Sequence, residues 1–157
     1  MMPRTLRATA VLLASLLWAG TASAHSDDYL DTAQAPHGGQ LRMAGAHHLE
    51  LVLAPSDAPP AQRPVRVYLT DHAGAAQPTA GAQGSVTFLS GKRKTTIALK
   101  PGGDNVLHGT GSYMLSPLLK AVVSVTLPGQ APLQARFTPL AKPQSSQPAE
   151  HAGHRGH

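Results

Sequence analysis

The chain has 157 residues, with 13 Lys and Arg against 8 Asp and Glu, nine His and no cysteine. Without cysteine, neither a disulfide framework nor a thiolate metal site can form. The basic excess is small and scattered, with only Lys92-Arg93-Lys94 clustered as a solvated strand edge or turn, which argues against nucleic acid as a partner.

In chain order, residues 1–24 show a short basic start (Arg4, Arg7), an apolar run from Ala10 to Trp18 and the small-residue ending Ala22-Ser23-Ala24. That three-part layout predicts a secretory signal peptide cleaved after Ala24. The run is shorter than the roughly 20 apolar residues that a bilayer crossing needs, and no second run follows, so no membrane insertion is expected after cleavage. Cleavage would take the only Trp and none of the nine His. The abundance of imidazole is therefore the compositional anomaly of the exported part.

Residues 25–36, HSDDYLDTAQAP, are polar and aperiodic and predict a flexible N-terminal arm. From 37 to 139, short alternating segments are separated by Gly, Pro and Asp clusters. They run Gln40 to Met43, Ala46 to Leu53, Val65 to Thr70, Ser85 to Leu89, Thr95 to Leu99, Asn105 to His108, Ala121 to Leu127 and Leu133 to Phe137. The expected class is all-β, an antiparallel two-sheet sandwich or small barrel of about eight short strands. Pro117 interrupts any helix over Ser112 to Lys120 and leaves a loop or single turn there. Residues 140–157, rich in Pro, Ser, Gln and Gly, predict a disordered His-rich tail.

Strand alternation assigns His47, Leu49, Leu51 and Leu53 to a buried face and His48, Glu50 and Val52 to an accessible one. His48 and Glu50, two residues apart, can both reach one borderline metal ion, whereas His47 reads as structural. His37, in Pro36-His37-Gly38-Gly39, is presented by a sharp turn. A hairpin through Ala44-Gly45, however, carries it toward Val52 and away from a joint site with His48 and Glu50. Asp71 and His72 read as turn formers and His108 has no assigned role. The tail places His151, His154 and His157 at every third position beside Glu150, a flexible set able to wrap a divalent ion. Cleavage after Ala24 would also give His25 a free amine, a minor copper chelate. Met43 and Met114 are too few to suggest a dedicated monovalent-copper site. No nucleophile elbow, phosphate loop or HExxH helix occurs, so no enzyme is expected.

The run Pro36-His37-Gly38-Gly39-Gln40-Leu41 through Ala46-His47-His48-Leu49-Glu50-Leu51-Val52 resembles the HGG…H-x-E-L-V opening of small periplasmic proteins associated with heavy-metal efflux. It is similar as well to the N-terminal β-domain of heavy-metal periplasmic adaptors of the resistance-nodulation-division type. The resemblance continues loosely through Val67 to Gly74 and ends at Ala135-Arg136-Phe137. It implies a periplasmic role in handling copper, zinc, cobalt or nickel, with His37, His48 and Glu50 as the matching positions. The long helical hairpin and membrane-proximal domains of the adaptors have no counterpart here. The expectation is thus a periplasmic protein that buffers or delivers a divalent transition metal, copper or zinc first and nickel or cobalt next, using His37, His48, Glu50, His151, His154 and His157. The alternative is a non-catalytic interaction module that docks on an efflux adaptor or another envelope protein.

Overall fold

A computed structural model describes residues 27–55 and 57–142. The proposed signal segment and the tail histidines His151, His154 and His157 lie outside these residues. The described chain is all-β. Its eight strands are β1 (Gln40–Ala44), β2 (His47–Leu53), β3 (Arg63–Asp71), β4 (Gln83–Ser90), β5 (Arg93–Pro101), β6 (Val106–Gly111), β7 (Lys120–Thr126) and β8 (Leu133–Phe137). A six-residue helix, α1 (Asp27–Thr32), precedes them. Among the described residues no helix is long and apolar enough to cross a membrane.

All strand pairings are antiparallel, in the order β1-β2-β3-β6-β5-β4-β7-β8. Of the two expected architectures, the structure is the barrel, one nearly closed sheet. Strands β4, β5 and β6 are a meander and β3 lies beside β6, a Greek-key arrangement. The sheet bends at β5, whose residues from Arg93 to Leu99 pair with β4 while Lys100 and Pro101 pair with β6. The two ends approach each other where the Thr138 N–H donates to Gln40 Oε1 at 2.8 Å.

Alternation puts every second side chain inside. Leu49, Leu51, Val65, Val67, Leu69, Val86, Phe88, Leu107, Val123, Val125 and Phe137 are almost wholly buried. Each contributes about 1.5–3 kcal/mol by leaving water.

The core is closed by polar ties from two crossover loops. In the β3–β4 loop, Thr79 is wholly buried, and its Oγ1 shares one hydrogen between the carbonyls of Gly103 and Val106 at 3.0 and 3.1 Å. In the β6–β7 loop, which is the loop expected from Pro117, buried Tyr113 stacks on Phe88 with ring centroids 4.4 Å apart. Its hydroxyl donates to the Pro64 carbonyl at 2.7 Å and accepts from the Ala54 N–H at 3.0 Å. Burial pushes the phenol above its ordinary 10.0, against smaller opposing effects from the Ala54 hydrogen bond and the Arg63 charge, so it stays a neutral donor.

Residues 27–32, expected as part of a flexible arm, instead form α1 against β1. Leu30 is 4% exposed, and Arg42 donates from Nη1 to Asp31 at 2.7 Å. Arg42 is buried on the inward side of an end strand, where only an anionic partner makes a guanidinium tolerable. Polarity without periodicity misread the segment because one leucine and one ion pair suffice to dock six residues. Desolvation tends to raise the Asp31 carboxyl, but hydrogen bonds from Arg42 and Gln40 and the Arg42 charge outweigh it and leave the group below its ordinary 3.8.

Two predictions follow from these ties. Tyr113→Phe leaves the Ala54 N–H and the Pro64 carbonyl without their buried partner, so urea unfolding should show a loss of about 1–3 kcal/mol. Because the folded state lowers the Asp31 value, its stabilisation is present above pH 3.8 and is lost as pH falls through the lower folded value. Asp31→Asn should therefore lower the unfolding midpoint at neutral pH, and the gap to the parent chain should close on acidification.

Candidate metal-binding face

The outer face of β1, β2 and β3 carries the candidate residues in rows set by strand register. Met43, His48 and Thr70 form one row, and Leu41, Glu50 and Tyr68 the next. The β1–β2 hairpin turns through Gly45 and Ala46, with Ala44 opposite His47 and Gln40 opposite Leu51. Gly45 takes a φ of 62°, as a Gly-first two-residue turn requires.

At the other end of β1 the chain does not continue along β2 toward Val52. Gly38 adopts a φ of 73° and the chain doubles back over the outer face. A Cβ on Gly39 would lie 2.4 Å from the Leu51 carbonyl oxygen, so only glycine fits this close approach. The His37 and Gly39 N–H groups both donate to Glu50 Oε1 at 2.9 Å, and His37 Nδ1 lies 2.8 Å from Glu50 Oε2. The His37 ring stacks flat on Tyr68, with centroids 3.5 Å apart and planes within 2°.

Three expectations change accordingly. His37 and Glu50, which the hairpin register separates, meet because the glycine pair reverses the chain. Glu50, expected on an accessible face, is 3% exposed because that turn covers it. Both of its oxygens are engaged, so its carboxylate orients His37. A carboxylate only accepts, which puts a proton on Nδ1, and in the neutral ring the lone pair of this 39% exposed imidazole then sits on Nε2. This is the carboxylate–histidine arrangement that fixes tautomer and direction in metal-ligating histidines.

His48 lies in the next row, away from the His37–Glu50 pair and beside His72, with ring centroids 5.3 Å apart and planes at 65°. Asp71 builds the loop that brings His72 there. Its Oδ1 accepts from the Ala73 and Ala75 N–H groups, both at 2.9 Å. His47 shares the inward face with Leu49, in keeping with a structural role. His108 sits against the β5–β6 turn, where a Cβ on Gly102 would meet its ring. Among the described residues no three His, Cys, Asp or Glu side chains converge as a ligand set.

The sequence reading missed Tyr68 and the pairing of His48 with His72. Both depend on the β2–β3 register, Glu50 opposite Tyr68 and His48 opposite Thr70, across a connection whose geometry leaves no periodic signal. Neither a protein-family model, nor a curated protein, nor a solved structure matches this chain.

Gly39→Ala should push the turn off Leu51, and Glu50→Gln, whose amide oxygen can still accept the two backbone N–H groups, should set its NH₂ against the Nδ1–H of His37. Each should lower stability by about 1–3 kcal/mol and abolish the ring-current shift that Tyr68 imposes on His37 in proton NMR spectra.

Proposed function

We propose that this chain is an exported, periplasmic, non-catalytic protein that captures a divalent transition metal, copper or zinc before nickel or cobalt, and buffers or delivers it in connection with efflux. The observation that carries this reading is the His37–Glu50 pair. A buried carboxylate with both oxygens engaged holds the Nδ1 side of an imidazole that stays 39% exposed. The pair His48 and His72 on the same face adds imidazole donors at short range. The tail residues His151, His154 and His157 would supply more. Exchangeable binding suits such ligands, because imidazoles protonate and release metal under mild acidification.

Isothermal titration of the chain from His25 onward with Cu²⁺, Zn²⁺, Ni²⁺ and Co²⁺ tests the reading. Saturable binding is expected, with fewer ions bound after truncation at Pro139. Glu50→Gln should weaken the folded-domain site about 10- to 100-fold, as loss of an orienting partner does. Binding no stronger than that of a histidine-free control would refute metal capture and favour the interaction module docking on an efflux adaptor or other envelope protein.

A further inference from the structure

We infer that Met43, His48 and His72 form a site for monovalent copper at the hairpin end of the β1–β2–β3 face, separate from the His37–Glu50 pair. The inference rests on the metal-capture reading for its premise that this face meets metal, but uses a different row of the sheet and a different oxidation state.

Register supplies the first part of the argument. Met43 is the direct cross-strand partner of His48. Directly opposed residues of an antiparallel pair project from the same face with Cβ atoms about 4.5–5.5 Å apart. A thioether on three rotatable bonds therefore starts within reach of the His48 ring.

The two imidazoles supply the second. His72 comes from the loop after β3, and that loop is set by Asp71, which accepts the Ala73 and Ala75 N–H groups. The loop leaves the His72 ring 5.3 Å from that of His48, centroid to centroid, with the planes at 65°. Two imidazoles that share a tetrahedral metal through nitrogens at about 2.0–2.1 Å place their centroids about 5 Å apart. The rings meet edge to face, so the centroid spacing already suits a shared ion, and turning one ring brings its nitrogen toward it.

Ligand chemistry selects the ion. One thioether and two imidazoles form a neutral, partly soft donor set with no carboxylate. Thioether sulfur selects Cu⁺ over the harder divalent ions. A count of methionines along the chain argues against such a site, but one methionine is enough when the register sets it opposite a histidine pair.

The test uses the whole chain carrying His151→Ala, His154→Ala and His157→Ala, so that the tail contributes no imidazole. Cu⁺ is titrated anaerobically against a chromophoric competitor, and Zn²⁺ in parallel, for this chain and for added Met43→Leu, His72→Ala or His37→Ala. One equivalent of Cu⁺ is expected. Its affinity should fall at least tenfold with Met43→Leu and with His72→Ala and stay unchanged with His37→Ala, and X-ray absorption should lose its Cu–S scattering with Met43→Leu. Zn²⁺ affinity should not respond to Met43→Leu. Cu⁺ binding that survives both Met43→Leu and His72→Ala undiminished overturns the site and leaves metal capture elsewhere on the chain intact. Absence of Cu⁺ binding with Zn²⁺ still bound overturns the site alone, and absence of both ions overturns the site and the capture by the folded domain together.

Discussion

A carboxylate that is 3% exposed on the outer side of a β-sheet must be given hydrogen bonds, and the local structure around Glu50 follows from that requirement. An ionised group withdrawn from water without partners costs several kcal/mol, whereas each hydrogen bond to a charged group returns about 1.5–3 kcal/mol. Glu50 receives three, two from backbone N–H groups and one from the His37 ring. Supplying them demands that the chain reverse just before β1, which only the conformational freedom of Gly38 and the missing side chain of Gly39 permit. The same reversal carries the His37 ring onto Tyr68. One buried charge thus fixes a turn, a tautomer and the direction of an exposed imidazole.

The clasp also bears on how the barrel is closed. Strand β1 lies at one end of the sheet order and approaches β8 through a hydrogen bond from Thr138 to Gln40. It is held on its outer side by the turn over Glu50, and its inward-facing Arg42 is neutralised by Asp31 of α1. An end strand with an inward charge and a docked helix offers little template for pairing with another chain. Tyr113 and Thr79 perform the corresponding task for the crossover loops, since each buries one hydroxyl and ties it to backbone groups of neighbouring segments.

On the outer face, imidazoles are presented in two ways. His37 is constrained by a carboxylate and by a stacked phenol ring. His48 is placed by its strand and His72 by the loop that Asp71 ties. For the proposed capture of metal, this separates a single imidazole oriented by a carboxylate from a pair of imidazoles set side by side.

Much of the fold was legible in the sequence, because alternation with a period of two reports directly on which side chains face a core. The eight segments from Gln40 to Phe137, the loop around Pro117 and the inward set Leu49 and Leu51 could all be read that way. The residue types of the candidate site could be read too, since His37, His48 and Glu50 stand out in a chain without cysteine. What alternation cannot report is how strands distant in sequence lie beside one another. The register between β2 and β3, the reversal at Gly38-Gly39 and the docking of α1 are long-range choices, set by the burial of Leu30 and by that of Glu50 and Arg42 against partners 11 or more residues away. The sequence by itself therefore determined an all-β chain with an unusual store of imidazole. Only the tertiary structure decided that Glu50 orients His37 in place of standing beside His48, and that His48 keeps company with His72 and Met43, because those neighbours are created by pairing and chain reversal.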